Sequence, residues 1–212
     1  MEGWTHPSPN ACGAVTLNNL ALVYRAQSKY SEAEALFKRA LAIREKALGA
    51  SHPDVGQTLT NLARVYRDQG KYSEAEGLFK RALVISETAL GANHPGVAWT
   101  LTNLGLLYWT QGRYGDAEAL HKRALAIREQ VLGESHPAVG DALNYLALVY
   151  WAQGKYSEAE GLYKRALAIL EKALGANHRD VAWTLNDLAL VYRDQGKYAE
   201  AEELLKRALV IR

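Results

Sequence analysis

Cysteine is nearly absent from this chain: Cys12 stands alone among 212 residues. No internal disulfide can form, which points to a reducing, cytoplasmic compartment. An excess of charge of either sign is also missing. Lys and Arg total 25 against 23 for Asp and Glu, a net charge of +2, so nothing pulls the chain toward nucleic acid or a membrane surface. No run approaches the roughly 18 apolar residues of a membrane span. The opening MEGWTHPSPN lacks the charged and apolar regions of a signal peptide. No Walker loop, GxSxG, HExxH or CxxC occurs. The sequence thus implies no enzyme, no cofactor and no metal.

What is present is repetition. GKYSEAEGLFKRALVISETAL at 70–90 returns as GRYGDAEALHKRALAIREQVL at 112–132 and as GKYSEAEGLYKRALAILEKAL at 154–174. Tyr30, Tyr72, Tyr114, Tyr156 and Tyr198 are each 42 residues apart. A fixed period of this size is the mark of an array of stacked supersecondary units, each touching its neighbours. The expected organisation is a tail over 1–13 and a single array over 14–212, with repeats at about 14–49, 50–91, 92–133, 134–175 and 176–212.

Each repeat reads as two helices. In the second copy Val55, Leu59, Leu62, Ala63 and Tyr66 recur at helical spacing. Pro53 suits the first helical position, where its missing N–H costs nothing; Pro95 and Pro137 repeat it, and Arg179 stands in their place in the last copy. This helix is expected from about 53 to about 69, ended by Gly70, with Gly112, Gly154 and Gly196 as its equivalents. The second helix is expected to open with a capping box. The Ser73 hydroxyl would accept a first-turn N–H and the Glu76 carboxylate would reach back to the cap. Ser31 with Glu34 and Ser157 with Glu160 repeat the pattern; Gly115 and Ala199 lack the hydroxyl, so their helices are expected to fray more readily. Ala75, Leu78, Phe79, Ala82, Leu83, Ala89 and Leu90 make the expected buried stripe, and Gly91 the C-terminal cap.

This pattern resembles the tetratricopeptide repeat in its 42-residue form. Leu62, Ala63, Tyr66, Gly70, Tyr72, Ala75, Phe79 and Ala82 fall where that family places its packing residues. The phrase LGxxHPxVxxTLxNLA is similar to kinesin light chain repeats and to many bacterial repeats of that subtype. The resemblance spans about 14–212. It implies an all-α, right-handed superhelical solenoid of five helix-turn-helix repeats. It also implies a concave groove, lined by first helices, that holds a peptide or protein segment.

His52, His94, His136 and His178 recur 42 apart. Packed helices lie ~8–10 Å apart and zinc–nitrogen bonds are about 2 Å, so one metal cannot gather them. They read instead as helix-start residues. His121 stands where Phe79 and Tyr163 stand and reads as a tolerated, partly buried substitution.

The candidate groove residues are those that vary while the frame holds. On the first helix of the second copy Gln57, Asn61, Arg64 and Asp68 lie opposite the buried stripe. Their equivalents include Asn19 in the first copy, Trp99 and Asn103 in the third, Asp141 and Tyr145 in the fourth, and Trp183 and Asp187 in the fifth. Arg67, Trp109 and Trp151 share a flanking register, and Arg25 adds charge in the first copy. Exposed aromatics among hydrogen-bonding groups suit a binding surface; the alternative is that each tryptophan packs on the neighbouring hairpin. Asn19, Asn61 and Asn103 offer amides matched to a peptide backbone, or else hydrogen bonds between adjacent first helices. Arg25, Arg64 and Arg67 would make one end of the groove basic, with Asp187 and Asp194 at the other and aromatics between. The expected partner is a protein or extended peptide segment carrying acidic and aromatic residues.

The expected function is therefore a peptide- or protein-binding adaptor. The alternatives are a structural array that self-associates and an accessory region of a larger signalling protein. The sequence stops at Arg212, about five residues before a full repeat would end, with Leu205, Leu209 and Val210 on the last helix. Self-association through that helix, or continuation of the array, is the expectation there.

Overall fold

The computed structural model describes residues 9–211, with side chains from residue 13 onward. Residues 1–8 of the expected tail and the Cys12 side chain lie outside the described residues. Among the described residues the chain is all-α, with ten helices paired as hairpins. They are α1 (Pro9–Ala26), α2 (Tyr30–Leu48), α3 (Pro53–Asp68), α4 (Tyr72–Leu90), α5 (Pro95–Thr110), α6 (Tyr114–Leu132), α7 (Pro137–Ala152), α8 (Tyr156–Leu174), α9 (Arg179–Asp194) and α10 (Tyr198–Leu209). The first helix begins at Pro9, inside the stretch expected as a tail. Two compact units divide the chain, residues 1–107 and 108–212.

The helix starts are capped by histidine. Nδ1 of His52, His94, His136 and His178 accepts the backbone N–H of Asp54 (3.2 Å), Gly96 (3.0 Å), Ala138 (3.1 Å) and Asp180 (3.2 Å). This satisfies one of the first-turn donors that a helix leaves unpaired. One nitrogen of each ring is thereby spent on backbone.

The tight turn inside each hairpin needs a left-handed residue. Gly70, Gly112, Gly154 and Gly196 take φ of +77°, +73°, +74° and +77°. In the first hairpin Ser28 holds that position at φ +61°, the one non-glycine residue with positive φ among those described.

The expected capping box does not form. The second helices start two residues earlier than it requires, with Lys29, Lys71, Lys155 and Lys197 at the N-cap and no side-chain cap bond. The turn folds Lys71 N–H back onto Tyr66 O (2.8 Å), and Lys71 O already accepts from Ala75 N–H (3.0 Å). Ser73 is thereby inside the helix. Gly115 and Ala199 therefore forgo no cap, and α6 and α10 begin in the same register as the other second helices.

Packing runs from hairpin to hairpin. In residues 1–107, Phe37 of α2 is fully buried with Ala21 and Ala33 on one side and Leu62 and Val65 of α3 on the other. Val55 and Leu59 pack on Ala82 and Ile85 of α4. In residues 108–212, Tyr163 of α8 lies against Ala147 of α7 and against Leu188 and Val191 of α9. Leu170 meets Val181 and Leu185, with Ala208 of α10 closing the cluster. Each fully buried large side chain of this kind contributes roughly 1.5–3 kcal/mol. Of the expected α4 stripe, Ala75, Phe79 and Ala82 are buried, Leu78, Leu83 and Leu90 half-buried, and Ala89 exposed.

A polar latch repeats over these junctions. Glu34 of α2 accepts from Lys38 Nζ (2.6 Å) on its own helix, and across the hairpin boundary from Lys71 Nζ (3.1 Å), Gln69 Nε2 (3.1 Å) and the Tyr66 hydroxyl (3.3 Å). Glu118 does the same with Lys122, Gln153 and Lys155, and Glu160 with Lys164, Lys197 and Tyr192. Burial pushes the Glu34 and Glu160 carboxyls up, but the donors outweigh it and hold both at about 2. In Glu118 the Lys122 hydrogen bond is the largest cause of the same value. Glu34, Glu76 and Glu160, expected to reach back to their own helix caps, thus lie on the helix flank, and Glu34 and Glu160 bridge to the following repeat.

His121 is wholly buried at 2% exposure, in the place of Phe37, Phe79 and Tyr163. It stacks on Tyr145 at 5.7 Å between ring centroids. Its Nε2 has no hydrogen-bond partner among the described residues. Burial holds its pKa down at about 4, with the charge of Arg128 adding to the effect.

Two outcomes follow for urea unfolding. Glu160→Gln loses about 1 kcal/mol at pH 7, after allowance for solvent screening. The folded pKa of about 2 lies below the ordinary 4.5. The contribution is therefore complete above about pH 4.5 and is lost as pH falls toward 2, so mutant and parent should converge there. His121→Phe gains about 1–2 kcal/mol by removing a buried unpaired polar atom. Its imidazole is neutral in the fold, so the parent loses stability relative to the variant as pH falls from about 6.5 toward 4. An unchanged midpoint for either variant contradicts the role given to that side chain.

Candidate functional site

The variable face of the first helices is built by α1, α3 and α5 in residues 1–107. The backbone there is set by the apolar stripe beneath it, so the residues opposite are free to differ. Arg25 and Arg67 do not stand open. Arg25 Nη2 lies 2.7 Å and Arg67 Nη2 3.1 Å from the same carboxylate, Asp68. The expected basic end is thereby largely neutralised, because Asp68 is carried on the same face. Arg64 remains half-buried, 5.9 Å over the ring of Trp99 and 3.4 Å from Asn61 Oδ1.

The asparagines expected to greet a peptide backbone are mostly turned inward. Asn61 is 4% and Asn103 6% exposed. Asn61 Nδ2 donates to Asn18 Oδ1 (3.4 Å), a bond between adjacent first helices. Asn103 Nδ2 donates to Trp99 O one turn earlier on its own helix (2.8 Å). Asn19 and Gln57 are exposed. Repeat periodicity pairs Asn19 with Asn61, yet the neighbour Asn18 makes the bond.

In residues 108–212 Trp109 is half-buried, and its Nε1 has no partner among the described residues. Trp151 is half-buried, with Nε1 donating to Asp194 Oδ2 (2.7 Å), while Asp194 Oδ1 accepts from Arg193 (2.8 Å). The equivalent bond from Arg25 to Asp68 spans the same 43 residues. This register therefore clamps neighbouring first helices, and Asp194 is committed to it.

Four expected residues converge. Asp141 and Tyr145 of α7, with Trp183 and Asp187 of α9, line one depression of about 350 Å³. Trp183 is 67% exposed at its edge. Burial pushes the Asp187 carboxyl up to about 6, against a hydrogen bond from Trp183 that draws it down. Asn144, Arg179 and Asp180 line the same depression and were not among the expected site residues. The signal for Arg179 was present, since it replaces the proline of other copies. Among the described residues no group of three or more His, Cys, Asp or Glu is placed to hold a metal ion, and no helix is long and apolar enough to cross a membrane.

The geometry offers binding chemistry: an aromatic face, carboxylates and amides on helices fixed from beneath. The solved structures similar to it include BtubC (BKLC) from P. vanneervenii, at 25% identity over 96% of this chain and 81% of that one, with a TM-score of 0.83. A putative kinesin light chain from Podosopora anserina with nearly identical TPR-like repeats is 29% identical over 100% of this chain and 97% of its own, with a TM-score of 0.78. A Rap protein complexed with Competence and Sporulation Factor shares the fold at 18% identity, covering 97% of this chain and 54% of that one, with a TM-score of 0.78. No curated protein sequence matches the chain. The tetratricopeptide repeat family model matches residues 14–88, 69–130, 111–172 and 138–212, and with the repeated hairpins and their junctions this makes the chain a member of the tetratricopeptide repeat family, of kinesin-light-chain-like type.

Proposed function

We propose that this chain is a protein- or peptide-binding adaptor that presents its first-helix faces to an extended partner segment, with no reaction of its own. The observation that carries it is Trp183, 67% exposed on a helix whose opposite side is fully packed. A large exposed aromatic has a solvation cost that partner binding relieves, and such residues dominate interface energetics. Trp99 with Arg64 supplies a second aromatic position in residues 1–107, suited to an acidic or aromatic partner residue. The near-neutral charge disfavours nucleic acid as the partner. A peptide-display selection on the intact chain tests this. Selected peptides should lose about tenfold or more in affinity with Trp183→Ala or Trp99→Ala, and nothing with Val84→Ala, an exposed second-helix residue. Peptides that respond only to Val84→Ala, or to no first-helix variant, would overturn it.

A second role, self-association, is favoured by one comparison. Leu205 of α10 is 47% exposed, while Tyr163, its equivalent on α8, is 1% exposed beneath α9. On α1, Leu20 and Val23 are 40% and 51% exposed, while their equivalents Leu62 and Val65 are buried at 2% and 0%. A second copy placing α1 over α9 and α10 would repeat the contact that α3 makes on α2. Such a head-to-tail contact builds rings or open filaments, so the mass by light scattering should rise above the monomer with concentration. Leu205→Lys with Val23→Lys should hold the chain monomeric. A constant monomer mass, or association that survives both substitutions, excludes this contact.

A further inference from the structure

The depression between α7 and α9 is unlike the rest of the first-helix surface. Elsewhere the charged groups answer one another: Asp68 by Arg25 and Arg67, Asp194 by Arg193 and the Trp151 indole. Here they do not. Among the described residues neither Asp141 nor Asp187 forms an ion pair, although Arg128 of α6 lies within Coulomb range of Asp141. Arg179 at the rim is held by its neighbour Asp180, 3.4 Å away. At the floor, Asn144 Nδ2 donates to Thr184 Oγ1 (2.8 Å), while its Oδ1 is buried and accepts from nothing among the described residues. The site thus holds more acceptors than donors: Asp187 accepts from Trp183, Asn144 Oδ1 accepts from nothing among the described residues, and the Trp183 ring stands exposed beside them.

We propose that this depression binds the guanidinium of an arginine carried by an extended partner segment, with Asp187 and Asp141 accepting its N–H groups and Trp183 lying along its plane. The chemistry selects this group on three counts. A guanidinium is all donor, with five N–H groups in a rigid fork that matches carboxylates. It stacks on aromatic faces and is more weakly hydrated than an ammonium, so it enters a half-buried site at lower cost. A space of about 350 Å³ admits one such side chain, whereas it is small for a folded element. The proposal rests on the adaptor role and adds to it a side chain that the partner carries.

A pH dependence follows. Asp187 sits at about 6. The groups that face it are Tyr163 from α8, Asp141 and Tyr145 from α7, and on α9 Trp183 with the Arg179–Asp180 pair. Burial pushes the Asp141 carboxyl up as well, with the charge of Asp180 adding to it and Arg128, His136 and His178 opposing it. A cation requires the carboxylate, so affinity rises as pH passes upward through about 6 and falls below it.

The test uses the full chain and three capped pentapeptides, Gly-Gly-Xaa-Gly-Gly with Xaa arginine, lysine or citrulline. The readout is the Trp183 indole N–H resonance, identified by its loss in Trp183→Phe. The arginine peptide should shift that resonance saturably, the lysine peptide should bind several-fold more weakly, and citrulline, isosteric but uncharged, about tenfold or more weakly. Asp187→Asn, which keeps the shape, should reduce arginine binding about tenfold and flatten its pH dependence around pH 6, with its thermal unfolding confirming the fold. Equal binding of citrulline and arginine, or an Asp187→Asn variant that binds arginine as the parent does, overturns the site. If display-selected peptides bind the first-helix faces while the arginine peptide leaves Trp183 unmoved, this proposal alone fails. If the arginine peptide behaves as expected and no longer segment binds those faces, the adaptor role fails and the cation site stands.

Discussion

The apolar face of a second helix in this chain is buried only when the first helix of the next hairpin lies upon it. Phe37 needs Leu62 and Val65 as well as its own hairpin, and Tyr163 needs Leu188 and Val191. A hairpin alone leaves that face wet, so its stability comes from its neighbours. The Glu34, Glu118 and Glu160 latches sit at these same junctions. Each draws a lysine of the following repeat onto a carboxylate that is already paired on its own helix. The apolar contact supplies most of the free energy, while the latch fixes the angle and register in which one hairpin meets the next.

That arrangement leaves one face of each first helix without structural duty, and the chain uses it in two ways. Some positions become clamps between neighbouring first helices, as with Arg25 to Asp68, Trp151 to Asp194 and Asn61 to Asn18. Others stay open, as with Trp183, Asp141 and Gln57. A clamp removes charge and aromatic surface from a partner's reach, so the usable site is smaller than the variable face. It is also differently charged. The arginines of residues 1–107 are mostly answered within the chain, whereas Asp141 and Asp187 are not ion-paired among the described residues.

His121 shows the cost of a departure from the frame. Its position demands a large buried ring, which Phe37, Phe79 and Tyr163 provide. An imidazole meets the demand for shape and finds a stacking partner in Tyr145, but it leaves a nitrogen unpaired and a pKa depressed to about 4. The surrounding repeats supply enough burial to hold it.

The period, the hairpin of two helices, the proline and histidine starts, the glycine turns and most of the buried stripe were legible in the sequence. Each is dictated by local backbone geometry: a helix repeats every 3.6 residues, a missing N–H suits a first turn, and a left-handed turn excludes most side chains. The capping box misled because serine and glutamate at that spacing satisfy either a cap or a helix flank. The choice fell to the turn, which placed Lys71 at the cap and carried Ser73 into the helix. The candidate site was legible as a face but not as a set of free residues. Asn18 rather than Asn19 meets Asn61, and Asp68 silences two arginines, because those pairings depend on which side chains the tilt between adjacent first helices brings together. The sequence by itself determined the repeating unit and the face it shows. Only the tertiary structure decided which polar groups on that face are spent between hairpins and which remain for a partner, since a side chain's freedom is set by neighbours some forty residues away.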